Sequence, residues 1–203
     1  MTKKKRNINT KEKNPKKIEK LIHKIILLLI LGFSFLFDKL FVNIIIAIQQ
    51  PLLLKFFYTI TLLGEIYIFI LIALILTAAL IIYRRPITAF WLTLATSAIM
   101  EVILKTIINR PRPFVTMHLQ TSIITEMSSF PSGHAMMFFS IIPIISKNFP
   151  KMKTTLWIVA ILVGFSRIYL QVHYFSDVIW GAFLGYGIGW ICMKIGEKYE
   201  WKY

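Results

Sequence analysis

Acidic residues are scarce in this chain: nine Asp and Glu stand against 24 Lys and Arg, a formal charge of +15 at pH 7. Such an imbalance would suit a nucleic-acid binder if the cations covered a soluble face. They do not, because ten of them crowd into residues 1–24. The one cysteine, Cys192, excludes an intramolecular disulfide framework. Charge of either sign is thin too: 16% of the residues are charged and 57% are hydrophobic, with a mean hydropathy of +0.68. A soluble domain of 203 residues cannot hide that much apolar surface, so the bilayer must be part of its solvent. A small-x-small cleavage pattern is also missing after the apolar run 25–37, where Phe35-Leu36-Phe37-Asp38 follows instead. That run reads as a retained first span and not as a cleaved leader.

What is present is a series of long apolar runs. Six candidate spans cover roughly 21–37, 57–82, 87–106, 133–149, 154–171 and 175–194. The expected fold is all-α, a six-span transmembrane bundle behind a basic tail at 1–20, with the membrane domain at 21–203. Residues 39–54 carry Phe41, Ile44, Ile45 and Ile48 at helical spacing and read as a short helix lying in the outer interface. The basic residues set the orientation. With the N-terminus inside, the inner segments hold the tail cations, Arg84, Arg85, Lys147, Lys151, Lys153 and the three C-terminal lysines. Only Lys39, Lys55, Lys105, Arg110, Arg112 and Arg167 fall outside, so both termini are expected to be cytoplasmic. The tail itself also suits anionic lipid headgroups.

Three polar clusters interrupt the apolar sequence: Lys105 to Arg112-Pro113, Pro131-Ser132-Gly133-His134, and Ser166-Arg167 to His173 and Asp177. Charge at membrane depth is expensive and persists where it pairs or does chemistry. The six-span topology carries these clusters to helix ends on one face, the outer one. Arg112 and Arg167 offer planar forks, and Lys105 a point charge, for the oxygens of a phosphate. Ser132-Gly133 at a helix start adds a hydroxyl and backbone N–H groups. Four residues separate His173 from Asp177, so in a helix starting near Tyr174 the carboxylate can hold one ring N–H. The other ring nitrogen is then left to attack phosphorus. His134 remains to protonate the leaving oxygen and then to activate water.

Similar residues serve other chemistries. A serine hydrolase built on Ser132, His134 and Asp177 would have a G-x-S-x-G elbow, which is missing, and needs no three cations. Zinc on His134, His173 and Asp177 would be opposed by the cations beside it. Glu65 and Glu101 are supporting candidates: Glu65 as an isolated carboxylate in the outer half of span two, Glu101 as the i,i+4 partner of Lys105. Arg110 reads equally as a phosphate ligand or a solvated loop charge. The 114–130 loop, with His118 and Glu126, lies where it can contact a headgroup. Gly181, Gly185 and Gly189 form a small-residue face, read as close packing inside the monomer.

The clusters K-x6-R-P, P-S-G-H and S-R-x5-H-x3-D resemble the three signature motifs of the type-2 phosphatidic acid phosphatase superfamily, in order and without departure, over about residues 50–195. The resemblance implies His173 as nucleophile, Asp177 as its orienting partner and His134 as acid/base. It implies phosphate binding by Lys105, Arg112, Ser132, Gly133 and Arg167, with no metal or cofactor required. The function expected is hydrolysis of a membrane lipid phosphate or diphosphate at the outer face. Undecaprenyl diphosphate, phosphatidylglycerol phosphate and phosphatidate are the candidate substrates. A lipid-to-lipid phosphotransferase using the same site is the alternative, and a protein that only binds anionic headgroups would not need the His134–His173–Asp177 set. Nucleic acid is not an expected partner, and the sequence does not decide oligomeric state.

Overall fold

The computed structural model describes residues 22, 25–26, 28–116 and 128–199. The basic tail, His23, Lys24, His118 and Glu126 lie outside the described residues. Apart from one isolated bridge between Pro111 and Ser128, every regular element among the described residues is helical. The longer helices among the described residues are α1 (Leu28–Ile48, with a 3-10 turn at Ser34–Phe37), α2 (Pro51–Thr61), α3 (Ile66–Ile82), α4 (Thr88–Ile108), α5 (Gly133–Asn148), α6 (Lys153–Tyr169) and α7 (Phe175–Lys198).

The expected spans 87–106, 133–149, 154–171 and 175–194 correspond to α4, α5, α6 and α7 within a few residues at either end. The first two spans differ. Residues 38–48 do not form a separate interfacial helix; they continue α1, and the chain breaks at Gln49-Gln50 before Pro51. Asp38 looks like the end of a span because a lone carboxylate is costly in an apolar setting. It is buried and paired here, so the helix runs through it. The second expected span is a bent pair, Pro51–Gly64 and Ile66–Ile82, which meet at 57°. Gly64 and the extended Glu65 (ψ 143°) make the break, which places Glu65 at a helix start and not inside one.

Among the described residues, four helices are long and apolar enough to cross a membrane, or five spans if the bent pair counts as one. The remaining expected span, α5, has 16 residues and sits at the centre of the bundle. Met136, Phe138, Ile141, Ile142, Ile144 and Ile145 are buried along it. Its main neighbour is α7, then α6 and α4. The glycine face of α7 makes this packing possible: a Cβ at Gly181, Gly185 or Gly189 would lie 2.6, 2.1 or 1.9 Å from the carbonyl oxygens of Ser132, Met136 or Ser140. Backbone against backbone, α7 thus fixes the start of α5. On the other flank, Phe57 of α2 packs on Phe165 and Tyr169 of α6, with ring centroids 5.3 and 4.6 Å away.

Candidate active site

A cavity of about 370 Å³ opens at one end of the bundle. Lys105, Arg112, Gly133, His134, Arg167 and His173 line it, so all three polar clusters meet there. They arrive from the last turn of α4, the segment after it, the start of α5, the last turn of α6 and the α6–α7 connection. Asn109, left-handed at φ 42°, stops α4 and turns the chain towards Arg112. The carboxylates of Glu65 and Glu101 share the lining, and Ile66, Phe69 and Met137 supply its apolar side.

His173 precedes α7 and does not belong to its first turn, so it meets Asp177 as an i,i+4 pair across the helix start and not along one helical face. Its Nδ1–H is donated instead to the carbonyl of Ser129 at 2.7 Å, while Asp177 Oδ2 stands 3.6 Å away. A carbonyl can only accept, so the proton is on Nδ1 and Nε2 carries the lone pair. Arg112 Nη1 donates to that nitrogen at 3.2 Å and to the Val172 carbonyl at 2.7 Å. Burial first, then the Arg112, Arg167 and Lys105 cations, push the His173 pKa well below the usual imidazole value, against the opposing Ser129 bond. The ring is therefore neutral at pH 7, with Nε2 unprotonated and held by Arg112.

Asp177 caps α7, accepting the Tyr174 N–H on Oδ2 at 2.9 Å. Its own backbone carbonyl accepts Ser132 N–H at 3.0 Å and so ties the Pro131-Ser132-Gly133-His134 turn to α7. The sequence-predicted partner of the nucleophile is thus a brace for two motifs at once. Arg110 does not line the cavity and is not a solvated loop charge. It lies behind the site between two carboxylates, 2.6 Å from Asp177 Oδ1 and 2.6 Å from Asp38 Oδ2.

Lys105 Nζ lies 2.7 Å from Glu101 Oε1. Glu101 also explains Gly133: a Cβ there would fall 2.0 Å from the same carboxylate oxygen. Arg167 is buried and donates through Nη1 to Thr61 Oγ1 at 2.6 Å. The Ser166 hydroxyl goes to the Val163 carbonyl within its own helix. Ser132 Oγ, His134 Nε2 and Arg167 Nε are buried with no protein hydrogen-bond partner. His134 and Arg167 line the cavity, and their two unpaired nitrogens mark where the oxygens of an anion would be held; Ser132 stands beside that lining, next to Gly133, and not on it.

The α2–α3 break is moulded around His134. A Cβ on Gly64 would sit 2.2 Å from His134 Cδ2, and Glu65 Oε1 is 3.7 Å from His134 Nε2. Thr61, Gly64, Ser129 and Asp38 escape the sequence reading. Ser129 contributes a backbone carbonyl and Gly64 the lack of a side chain, neither of which a motif displays. Asp38 had a signal, an isolated carboxylate beyond an apolar run.

The sequence matches the PAP2 superfamily over residues 86–201. Phosphatidylglycerophosphatase B of Bacillus subtilis is 32% identical over 167 residues, which cover 75% of this chain and 80% of that protein. Undecaprenyl-diphosphatase of Sulfolobus acidocaldarius is 31% identical over 126 residues, 59% of this chain and 61% of that protein. Among crystal structures, the transmembrane PAP2-type phosphatidylglycerolphosphate phosphatase of Bacillus subtilis superposes with a TM-score of 0.71 at 25% identity, over 86% of this chain and 96% of that one.

Proposed function

The chain belongs to the PAP2 superfamily and is a membrane lipid phosphatase, and we propose that it removes phosphate from a lipid phosphate or diphosphate at the outer face of the membrane through a phosphohistidine on His173. The observation that carries this reading is the His173 ring, which lines a cavity with three cations and His134 and whose Nδ1–H is locked on Ser129, leaving Nε2 unprotonated beside Arg112.

In the proposed first step, Nε2 attacks phosphorus, the N–P bond forms and the bond to the lipid oxygen breaks. His134 gives that oxygen its proton. Lys105, Arg112, Arg167 and the start of α5 receive the charge on the equatorial oxygens. In the second step His134 takes a proton from water, the water oxygen bonds to phosphorus, and the N–P bond breaks to release phosphate. No cofactor enters this scheme. Asp177 acts by holding the Tyr174 and Ser132 backbones in register.

The apolar wall of Ile66 and Phe69 on α3 and Met137 on α5 suits an alkyl chain while the headgroup meets the cations. We read the four long helices, the bent pair and α5 as six passes, with both termini cytoplasmic, because Arg84, Arg85, Lys147, Lys151, Lys153 and Lys198 lie at the helix ends opposite those that line this cavity and ten more cations crowd residues 1–24 of the sequence. Phosphatidylglycerol phosphate and undecaprenyl diphosphate are the leading substrates because the relatives are named for them. Phosphatidate is the third.

The test is phosphate release by purified protein in detergent with excess chelator, over those three lipids, with His173→Ala as control. Release that survives chelation, disappears in the variant and passes through an acid-labile phosphoprotein is expected. Release that requires a second lipid as acceptor would make the protein a phosphotransferase. Release that chelator abolishes and zinc restores would overturn the phosphohistidine.

A further inference from the structure

Asp38 sits in α1, ahead of the segment that matches the family, and its side chain is 5% exposed. Nothing in the proposed chemistry uses it, yet both its oxygens are occupied. Oδ2 accepts from Arg110 Nη2 at 2.6 Å and from the Ser176 hydroxyl at 2.7 Å, and Oδ1 accepts Ser176 N–H at 2.8 Å. The opposite edge of the same guanidinium donates through Nη1 to Asp177 Oδ1 at 2.6 Å and to Ser176 Oγ at 2.7 Å. The guanidinium also lies over the Tyr174 ring, 4.0 Å from its centroid, with Phe35 of α1 at 5.3 Å. One cation is therefore clamped between two buried carboxylates and two rings, with the first turn of α7 held by the same clamp.

The backbone of Arg110 continues the chain of contacts to the reacting nitrogen. Its carbonyl accepts Ser129 N–H at 2.7 Å, and the Ser129 carbonyl accepts His173 Nδ1–H at 2.7 Å. Fixing Arg110 thus fixes the acceptor that sets the His173 tautomer. Fixing Ser176 fixes the turn three residues after His173. We propose that Asp38 is a positioning residue for the reaction: through Arg110 and Ser176 it holds Ser129 and Asp177 where they orient the attacking nitrogen of His173. The proposal rests on the reading of His173 as nucleophile. It makes α1 part of the catalytic apparatus and not a detachable anchor.

Geometry of this kind acts on the chemical step more than on phosphate binding, because the cations in the cavity are held by Glu101, Val172 and Thr61 and not by Asp38. In the full-length protein in detergent, Asp38→Asn should lower kcat about 10- to 100-fold. KM and the inhibition constant of inorganic phosphate should stay within about twofold. In an Asp177→Asn background the same substitution should remove less than about threefold further, since two residues acting on one arrangement are not additive. Asp38→Glu should recover part of kcat, because it restores the charge with a longer reach.

A kcat equal to wild type alongside a lowered thermal midpoint would make Asp38 a structural anchor and overturn the proposal. A full, independent loss in the Asp177→Asn background would overturn it as well. Where Asp38→Asn does not fold, Ser176→Ala removes one arm of the clamp and should give a smaller kcat loss at unchanged phosphate inhibition; wild-type kcat in that variant overturns the proposal. His173→Ala keeps the two readings apart. Activity that survives it refutes the nucleophile assignment, whereas its loss together with a wild-type kcat in Asp38→Asn refutes only the role of Asp38.

Discussion

The Nδ1–H of His173 is held by the carbonyl of Ser129 at 2.7 Å, with the Asp177 carboxylate 3.6 Å from the same nitrogen. The ring is therefore held first by that carbonyl and second by the aspartate beside it. Asp177 contributes by closing the α7 N-terminus on Tyr174 and by holding Ser132 through its backbone. Asp177→Asn keeps that backbone bond and most of the cap. It should lose about 10- to 100-fold in kcat, whereas His173→Ala should fall to background. Steady-state phosphate release with a defined lipid substrate checks the ordering. Equal losses in both variants would mean that the carboxylate, and not the carbonyl, sets the ring.

Gly64 touches a different ring. A methyl group there would lie 2.2 Å from His134 Cδ2, too close for either to remain in place. The φ of Gly64 is not positive, so alanine brings no backbone strain and the cost falls on the histidine. A displacement of about 1 Å in a reacting group costs on the order of 100-fold in rate. Gly64→Ala should show that loss in kcat with a thermal midpoint close to wild type. An unchanged kcat would mean that His134 has room to retreat and still transfer its proton.

The parts of this site legible in the sequence are those where side-chain type decides the chemistry. Lys105, Arg112, Gly133, His134, Arg167 and His173 are conspicuous in an apolar chain, and all line the cavity. The helices that carry them are legible too, because Asn109, Pro131 and the 149–153 turn are chemically abrupt. The first third of the chain is not. Asp38 reads as the water-facing end of a span, since the cation that neutralises it comes 72 residues later. Glu65 reads as an intrahelical charge because a 57° bend between two apolar helices leaves no compositional gap. Ser129 is invisible for a third reason: it acts through its backbone, which every residue has.

Two glycines of α7 separate internal packing from helix propensity. A Cβ at Gly185 would fall 2.1 Å from the Met136 carbonyl oxygen, and backbone cannot rotate away as a side chain can. Gly185→Ala must push α7 off α5 and should destabilise the protein by about 1–3 kcal/mol. Activity should fall with it, because this contact sets the start of α5 against His173. At Gly187 the same methyl meets nothing within 4 Å. Gly187→Ala should keep full activity and gain up to about 1 kcal/mol from helix propensity. Thermal unfolding in detergent, paired with size-exclusion chromatography, tests both. If Gly185→Ala instead left stability intact and altered the oligomeric state, the glycine face would belong to a contact between copies.

Acid should weaken the fold through His173. The unfolded ring takes a proton near pH 6.5. In the folded protein, burial and then the Arg112, Arg167 and Lys105 cations hold its pKa well below that value. Below pH 6.5 the unfolded chain therefore binds more protons than the folded one, and stability rises with pH across that window. The contribution is complete above the unfolded value and is lost as pH falls towards the folded one, at no more than about 1.4 kcal/mol per pH unit. His173→Gln has no proton to gain. Between pH 7 and pH 5 its unfolding midpoint should fall less steeply than that of wild type, even if it starts lower. Parallel curves would mean that the folded ring protonates as readily as the unfolded one, and a nitrogen so readily charged could not remain the free nucleophile that the cavity presents.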